Sequence, residues 1–210
     1  KGMLSISGWT MVQSFLSVSV WFIFFLAIEH LGERPLAVTN IVRNIAAMLI
    51  MIISAFATTA GALISNQIGA GEQRFLFKTC RMTLNLAYAL LIPLLIVLCL
   101  FPEPILRIFT DNPSLITASI PSVYVMATST LISAPAFILF NAVSGTGNTR
   151  AGFVMEMITL AVYTAAVYYG VIVLKPDVAL CWFSEHIYGI VLISLTWWYL
   201  KSGRWRGKKV

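Results

Sequence analysis

Long runs of apolar residues, broken by short polar turns, set the organisation of this chain. Six such runs occur, at about residues 9–28, 36–68, 75–101, 114–143, 152–174 and 178–200. Each approaches or exceeds the ~20 residues that a helix needs to cross a bilayer. The breaks carry turn chemistry. Glu29-His-Leu-Gly-Glu-Arg-Pro35 ends the first run, and Gly69-Ala-Gly-Glu72 ends the second with glycines suited to a helix C-terminus. Pro102-Glu-Pro104 and Phe109-Thr-Asp-Asn-Pro113 enclose a short amphipathic loop, and Lys175-Pro-Asp177 makes the last turn. Between the fourth and fifth runs lies Phe140-Asn-Ala-Val-Ser-Gly-Thr-Gly-Asn-Thr-Arg150.

These runs predict helices. Backbone amides facing lipid must be paired within their own segment, and runs this long and uniformly apolar do not suit barrel strands. The second run is longer than a bilayer requires, so it should tilt or protrude. Pro93 predicts a kink in the third helix, and the fourth contains Pro121 and Pro135. Small residues from Ser54 to Ala62 narrow the inner half of the second helix, as tight helix–helix packing requires.

Composition agrees with lipid as the solvent. The 210 residues are 59% hydrophobic and 10% charged, with a mean hydropathy of +0.89, against about 25% charged in soluble domains. The net charge of +6 therefore reports orientation and not a nucleic-acid partner. Ten of the fourteen basic residues fall on one face: Lys1, Arg74, Lys78, Arg81, Arg150, Lys201, Arg204, Arg206, Lys208 and Lys209. Arg34, Arg107 and Lys175 fall on the other, and Arg43 lies within the second helix. Six crossings with this bias place both termini, and the basic tail at residues 201–210, in the cytoplasm. Lys1 is not an initiator methionine, so the chain reads as the C-terminal part of something longer. Cys80, Cys99 and Cys181 fit no metal spacing and read as small buried residues.

Ionisable groups inside the membrane are expensive and mark functional candidates. Arg43 lies about 12 Å below the outer turn at 1.5 Å per residue, with Asn40 and Asn44 beside it at i, i+4 spacing. Glu185 lies at a similar depth in the sixth helix. Two readings of Arg43 stand: a pair with Glu185, or snorkelling to the outer headgroups. Glu156, in the inner leaflet, is either a protonatable group facing a cavity or partner helix, or a residue reaching the interface. Glu156 and Glu185 approach from opposite sides, which disfavours a carboxylate pair and acid–base catalysis. Gln13 and Ser17 share a face of the first helix. Ser129, Thr130 and Ser133 surround Pro135, where hydroxyls can satisfy the carbonyl that a proline frees. No nucleophile, base or metal set converges, so an enzyme is not expected.

The turns carry a resemblance. Val143-Ser-Gly-Thr-Gly-Asn-Thr-Arg150 resembles the G-x-G-[DN]-T-[RK] turn of the multidrug and toxic compound extrusion (MATE) family. Ser65-Asn-Gln-Ile-Gly-Ala-Gly-Glu72 is similar to that family's G-x-x-[LI]-G-x-G turn, with Ser65 in place of the first glycine, and Phe109-Thr-Asp-Asn112 to its Phe-Thr-acidic loop. The resemblance implies an all-α integral membrane protein whose six transmembrane helices form one lobe of a twelve-helix, two-lobe antiporter. These would be helices seven to twelve, with a six-helix N-terminal lobe as partner. It further implies a plasma (inner) membrane protein exporting organic cations or amphipathic small molecules in exchange for H⁺ or Na⁺, with no cofactor. One branch of the family carries acidic cation sites on its seventh and tenth helices; here those positions fall near Ser17 and Ser133. Coupling is therefore assigned either to the missing lobe or to Glu156 and Glu185, with Arg43 as a further candidate. Gln13, Ser17, Asn40, Asn44 and Ser133 are expected to line a cavity. A lipid-linked saccharide flippase of the same superfamily ranks second, since it calls for several cavity cations and only Arg43 is available. A non-transporting assembly subunit would have no use for the buried acids.

Overall fold

The computed structural model describes residues 15, 16, 18, 19, 22–174 and 177–205. Gln13, Ser17 and Lys175 lie outside the described residues. The described residues are helical throughout, with no strand among them. We number the helices as follows. The described part of α1 covers residues 22–29. It is followed by α2 (Glu33–Gly69), a 3₁₀ turn (Gln73–Phe75), α3 (Leu76–Leu100), the short α4 (Pro102–Leu106) and α5 (Pro113–Gly145). Next come α6 (Thr149–Val167), extended by a wider π-helical turn (Tyr168–Val173), the short α7 (Val178–Cys181) and α8 (Ser184–Lys201).

Among the described residues, five stretches are long and apolar enough to span a membrane: Glu33–Gly69, Gln73–Leu100, Pro113–Gly145, Thr149–Val173 and Val178–Lys201. At 37 residues, α2 is about 55 Å long and must tilt or project from a ~30 Å hydrocarbon core. The last span is broken by a turn at Trp182–Phe183. Trp182 is buried there and meets Phe24 of α1 edge-to-face, ring centroids 5.7 Å apart. α4 forms where the sequence suggests only a loop, because Pro102 suits the first turn of a helix.

The bundle is centred on α5, half of whose apolar window is buried, against a third or less in the other spans. Its most extensive partner is α2, and it also packs on α3 and α8. Ile53 and Ile64 of α2, Leu91 of α3 and Val123, Ile138 and Val143 of α5 form the middle of this core. A smaller cluster joins Phe24, Ala27 and Ile28 of α1 to Tyr163, Val167 and Val171.

The narrow stretch of α2 does pack tightly. A Cβ on Gly145 would stand 2.4 Å from the Gly61 carbonyl oxygen, and one on Gly61 would stand 2.9 Å from the Asn141 carbonyl oxygen. Two glycine surfaces thus bring α2 and α5 together backbone to backbone. The hydroxyls of Thr58 and Thr59 bond carbonyls of their own helix, at Ser54 and Ala55.

The turns explain the motif residues one by one. Gly71 has φ +77°. The Glu72 amide bonds the Gln67 carbonyl and the Gly71 amide bonds the Ile68 carbonyl, the pair that defines a Schellman C-cap. The Gln67 side chain then bonds Thr79 of α3 at 2.8 Å. In the second turn, the Thr146 hydroxyl donates to the Val143 carbonyl at 2.7 Å, and Gly147 supplies φ +78°. Asn148 caps α6 by accepting from the Ala151 amide, and its NH₂ donates to the Tyr199 hydroxyl of α8. In the third, Asn112 caps α5 by accepting from the Ser114 amide at 3.0 Å, and the Arg34 guanidinium donates to the Ser114 hydroxyl at 2.9 Å. Gly71, Gly147, Thr146, Asn148 and Asn112 thus each have a local structural task.

Candidate functional site

The polar contacts that join helices at membrane depth concentrate between α6 and α8. On α6, Glu156, Leu160, Tyr163 and Val167 recur at helical spacing and form one buried stripe. On α8, Glu185, Tyr188 and Leu192 lie three to four residues apart, beside Gly189. A Cβ at Gly189 would come within 2.7 Å of the Ile132 side chain, so this glycine lets α8 settle against α5. The two stripes meet, and each helix supplies one acid and one phenol.

The Tyr188 hydroxyl donates to Glu156 Oε1 at 2.9 Å, and the Tyr163 hydroxyl donates to Glu185 Oε1 at 2.7 Å. Glu156 and Tyr163 are buried, at 3% and 2% exposure; Glu185 and Tyr188 are half-buried. The two tyrosine rings pack edge-to-face with centroids 5.8 Å apart, and Phe137 of α5 lies against Tyr188. The acids thus belong to one aromatic-walled unit, each held by its own phenol. The acids were legible in the sequence as intramembrane charges. The tyrosines were not singled out, although their spacing from the acids, i, i+7 on α6 and i, i+3 on α8, already places them on the acids' faces.

A phenol suits a group that changes charge. Its O–H donates to an ionised carboxylate oxygen in a charge-assisted bond. When the acid carries a proton, the same O–H still donates to the carbonyl oxygen of the carboxyl. The phenol's bond to each acid can therefore persist whether or not the acid carries a proton.

The remaining candidates lie elsewhere. Among the described residues no ion pair joins Arg43 to Glu185, which removes the pairing suggested by their depths. The Arg43 guanidinium instead stands over the Phe25 ring of α1, 4.8 Å from its centroid, where the cation gains ring contact and stays half-buried. Asn40 is half-buried and Asn44 exposed, and no hydrogen bond joins either to the glutamate–tyrosine pairs. The Ser133 hydroxyl donates to the Ser129 carbonyl of its own helix at 3.0 Å. The carbonyl freed by Pro135 is that of Leu131, and its donor is Tyr88 of α3 at 2.7 Å, not one of the nearby serines or threonines. His186 bonds Thr128 of α5 at 2.9 Å. All three cysteines are free thiols. No cluster of three or more metal-ligating residues occurs among the described residues.

The fold and site define the class: an all-helical, multi-pass membrane lobe with two acids held between its helices. The MatE family model matches residues 10–169, so the chain belongs to this family of MATE transporters. No curated protein sequence matches it. Among the solved structures similar to it are three MATE or MOP superfamily transporters. A mutant of the Vibrio cholerae MATE transporter VcmN superposes with a TM-score of 0.88 at 16% identity, over 100% of this chain and 48% of that one. An outward-facing multidrug resistance MATE family transporter of the MOP superfamily gives 0.85 at 12% identity, over 100% of this chain and 47% of the other. A MOP superfamily transporter from Pyrococcus furiosus gives 0.82 at 12%, over 94% and 44%. The chain thus spans about half the length of each, which is the extent of a single lobe.

Proposed function

We propose that this chain is the C-terminal lobe of a secondary antiporter that exports organic cations or amphipathic compounds in exchange for H⁺ or Na⁺. In this reading both termini are cytoplasmic in a plasma (inner) membrane, and a six-helix N-terminal lobe completes the transporter. The observation that carries the coupling role is the pair of carboxyl groups at membrane depth, each held by a tyrosine hydroxyl from the opposite helix. Buried acids are costly and recur in ion pathways, and these two keep a hydrogen bond in either charge state. The flippase reading is not favoured: Arg43, the cation it would need in a cavity, is stacked on Phe25.

The test is transport by the full-length protein in proteoliposomes, under an imposed proton gradient and, separately, an imposed Na⁺ gradient. Glu156→Gln and Glu185→Gln should each lower gradient-driven export of a cationic dye at least tenfold, with dye binding retained. Export by both variants at the wild-type rate would remove these acids from the coupling mechanism.

A further inference from the structure

At the basic end of the bundle, α3, α5 and α8 enclose a groove of about 610 Å³ that the transport reading does not use. Its walls are apolar, with Leu84 from α3, Pro135 and Ile138 from α5, and Ile193 and Trp197 from α8. One helical turn beyond Leu84 and Pro135, the Tyr88 hydroxyl bonds the Leu131 carbonyl and ties α3 to α5. Its mouth carries Arg81, an exposed lining residue. From Phe77 to Leu84 the groove runs about 10 Å along α3, within the ~15 Å of hydrocarbon in one leaflet.

The charge at the mouth has one sign. Arg74, Lys78 and Arg81 recur at near-helical spacing and all are exposed. Arg74 and Lys78 both stand over the Phe75 ring, at 4.7 and 5.9 Å. Lys201 lies one turn beyond Trp197 on α8. No acid occurs in α3 or α5, and the acid of α8, Glu185, is at its opposite end. Glu72, just before the 3₁₀ turn, makes no ion pair with these bases among the described residues. Trp197 meets Phe77 edge-to-face at 5.4 Å, with its indole half-exposed, in the manner of an interfacial anchor.

We propose that this groove is a binding site for an anionic phospholipid, with one acyl chain between α3, α5 and α8 and the phosphate at Arg81 and Lys78. Basic pockets between membrane helices select such headgroups. An organic cation is a poor occupant, because the basic mouth repels it. The apolar walls offer nothing to a free phosphate.

The experiment uses the full-length protein, delipidated in detergent and titrated with dioleoyl phosphatidylglycerol or dioleoyl phosphatidylcholine, with bound lipid counted by native mass spectrometry. Wild type should retain phosphatidylglycerol preferentially. Arg81→Gln and Lys78→Gln should each reduce that preference about fivefold, with the protein still monodisperse. Equal retention of the two lipids by wild type, or an undiminished preference in the double variant, would overturn the proposal. A photoreactive benzophenone side chain placed at Leu84 in native membranes separates the occupants. Cross-linking to lipid supports the site. Cross-linking to another segment of protein shows that the groove is a protein interface, and refutes it.

Discussion

Adding one methyl group at Gly145 should separate the two most extensively packed helices of the lobe. The new Cβ would stand 2.4 Å from the Gly61 carbonyl oxygen, and ordinary contact begins near 3.4 Å. Relief therefore requires a shift of about 1 Å between α2 and α5, because both partners are backbone and no rotamer can absorb the clash. Overpacking of this kind costs about 1–3 kcal/mol, and Gly145→Ala belongs at the upper end of that range. The other glycines set a scale. Gly61→Ala meets the Asn141 carbonyl at 2.9 Å and should cost less. Gly189→Ala meets the Ile132 Cγ2 methyl at 2.7 Å, and a β-branched side chain on a helix has little rotamer freedom, so its cost should match that of Gly61→Ala. Gly69 has nothing within 4 Å of its Cβ position, so Gly69→Ala should be neutral or gain up to ~1 kcal/mol of helix propensity. The assay is unfolding of the detergent-solubilised protein followed by circular dichroism, comparing the four variants in one detergent. Equal midpoints for Gly145→Ala and Gly69→Ala would refute the claim that backbone contact, and not side-chain burial, sets the α2–α5 separation.

Three further outcomes follow from the polar contacts. Tyr88→Phe should cost about 1–2 kcal/mol in the same unfolding assay by leaving the Leu131 carbonyl without its donor; in a Pro135→Ala background, where an amide can serve that carbonyl, the cost should vanish. Asn148→Ala should cost about 1–2 kcal/mol through loss of the α6 cap and the bond to Tyr199, whereas Asn148→Asp should keep the cap and recover roughly half. Tyr163→Phe keeps Glu185 but removes its donor, so gradient-driven export in proteoliposomes should fall about tenfold; an unchanged rate would make this phenol a packing residue only.

The turns were the most legible part of the chain, for a physical reason. A left-handed glycine, an asparagine cap or a close backbone approach depends on a few adjacent residues. Gly71, Gly147, Asn148 and Asn112 could therefore be read locally, and they carried the family resemblance. The helix runs were legible because every lipid-facing position must be apolar. Interhelical partners were not, since depth along a helix says nothing about rotation around it. Arg43 and Glu185 share a depth, yet Arg43 turns toward Phe25 and Glu185 toward Tyr163. The break at Trp182–Phe183 escaped notice because both residues are apolar and leave the hydrophobic run intact.

Reach decides which polar side chains matter between these helices. Most serine and threonine hydroxyls here bond a carbonyl three or four residues back, as those of Thr58, Ser129, Thr130, Ser133, Thr159 and Thr196 do; Thr79 and Thr128 join a second helix where a longer side chain, Gln67 or His186, reaches them. A tyrosine carries its hydroxyl across the 8–10 Å that separates packed helix axes. Tyr88, Tyr163, Tyr188 and Tyr199 accordingly make contacts between α3 and α5 or between the α6 segment and α8. Their partners divide into two kinds. The Leu131 carbonyl and the Asn148 amide have fixed charge, so those contacts hold at any pH at which the protein is folded. Glu156 and Glu185 do not, and a bond to an ionised oxygen is roughly twice as strong as its neutral counterpart. Protonation of either acid would therefore exchange a charge-assisted bond between α6 and α8 for a neutral one, while the glycine seam between α2 and α5 carries no group that changes charge. In the proposed coupling role, a carboxyl whose charge bears on one helix pair and not the other is the group an ion would act on to move part of a lobe.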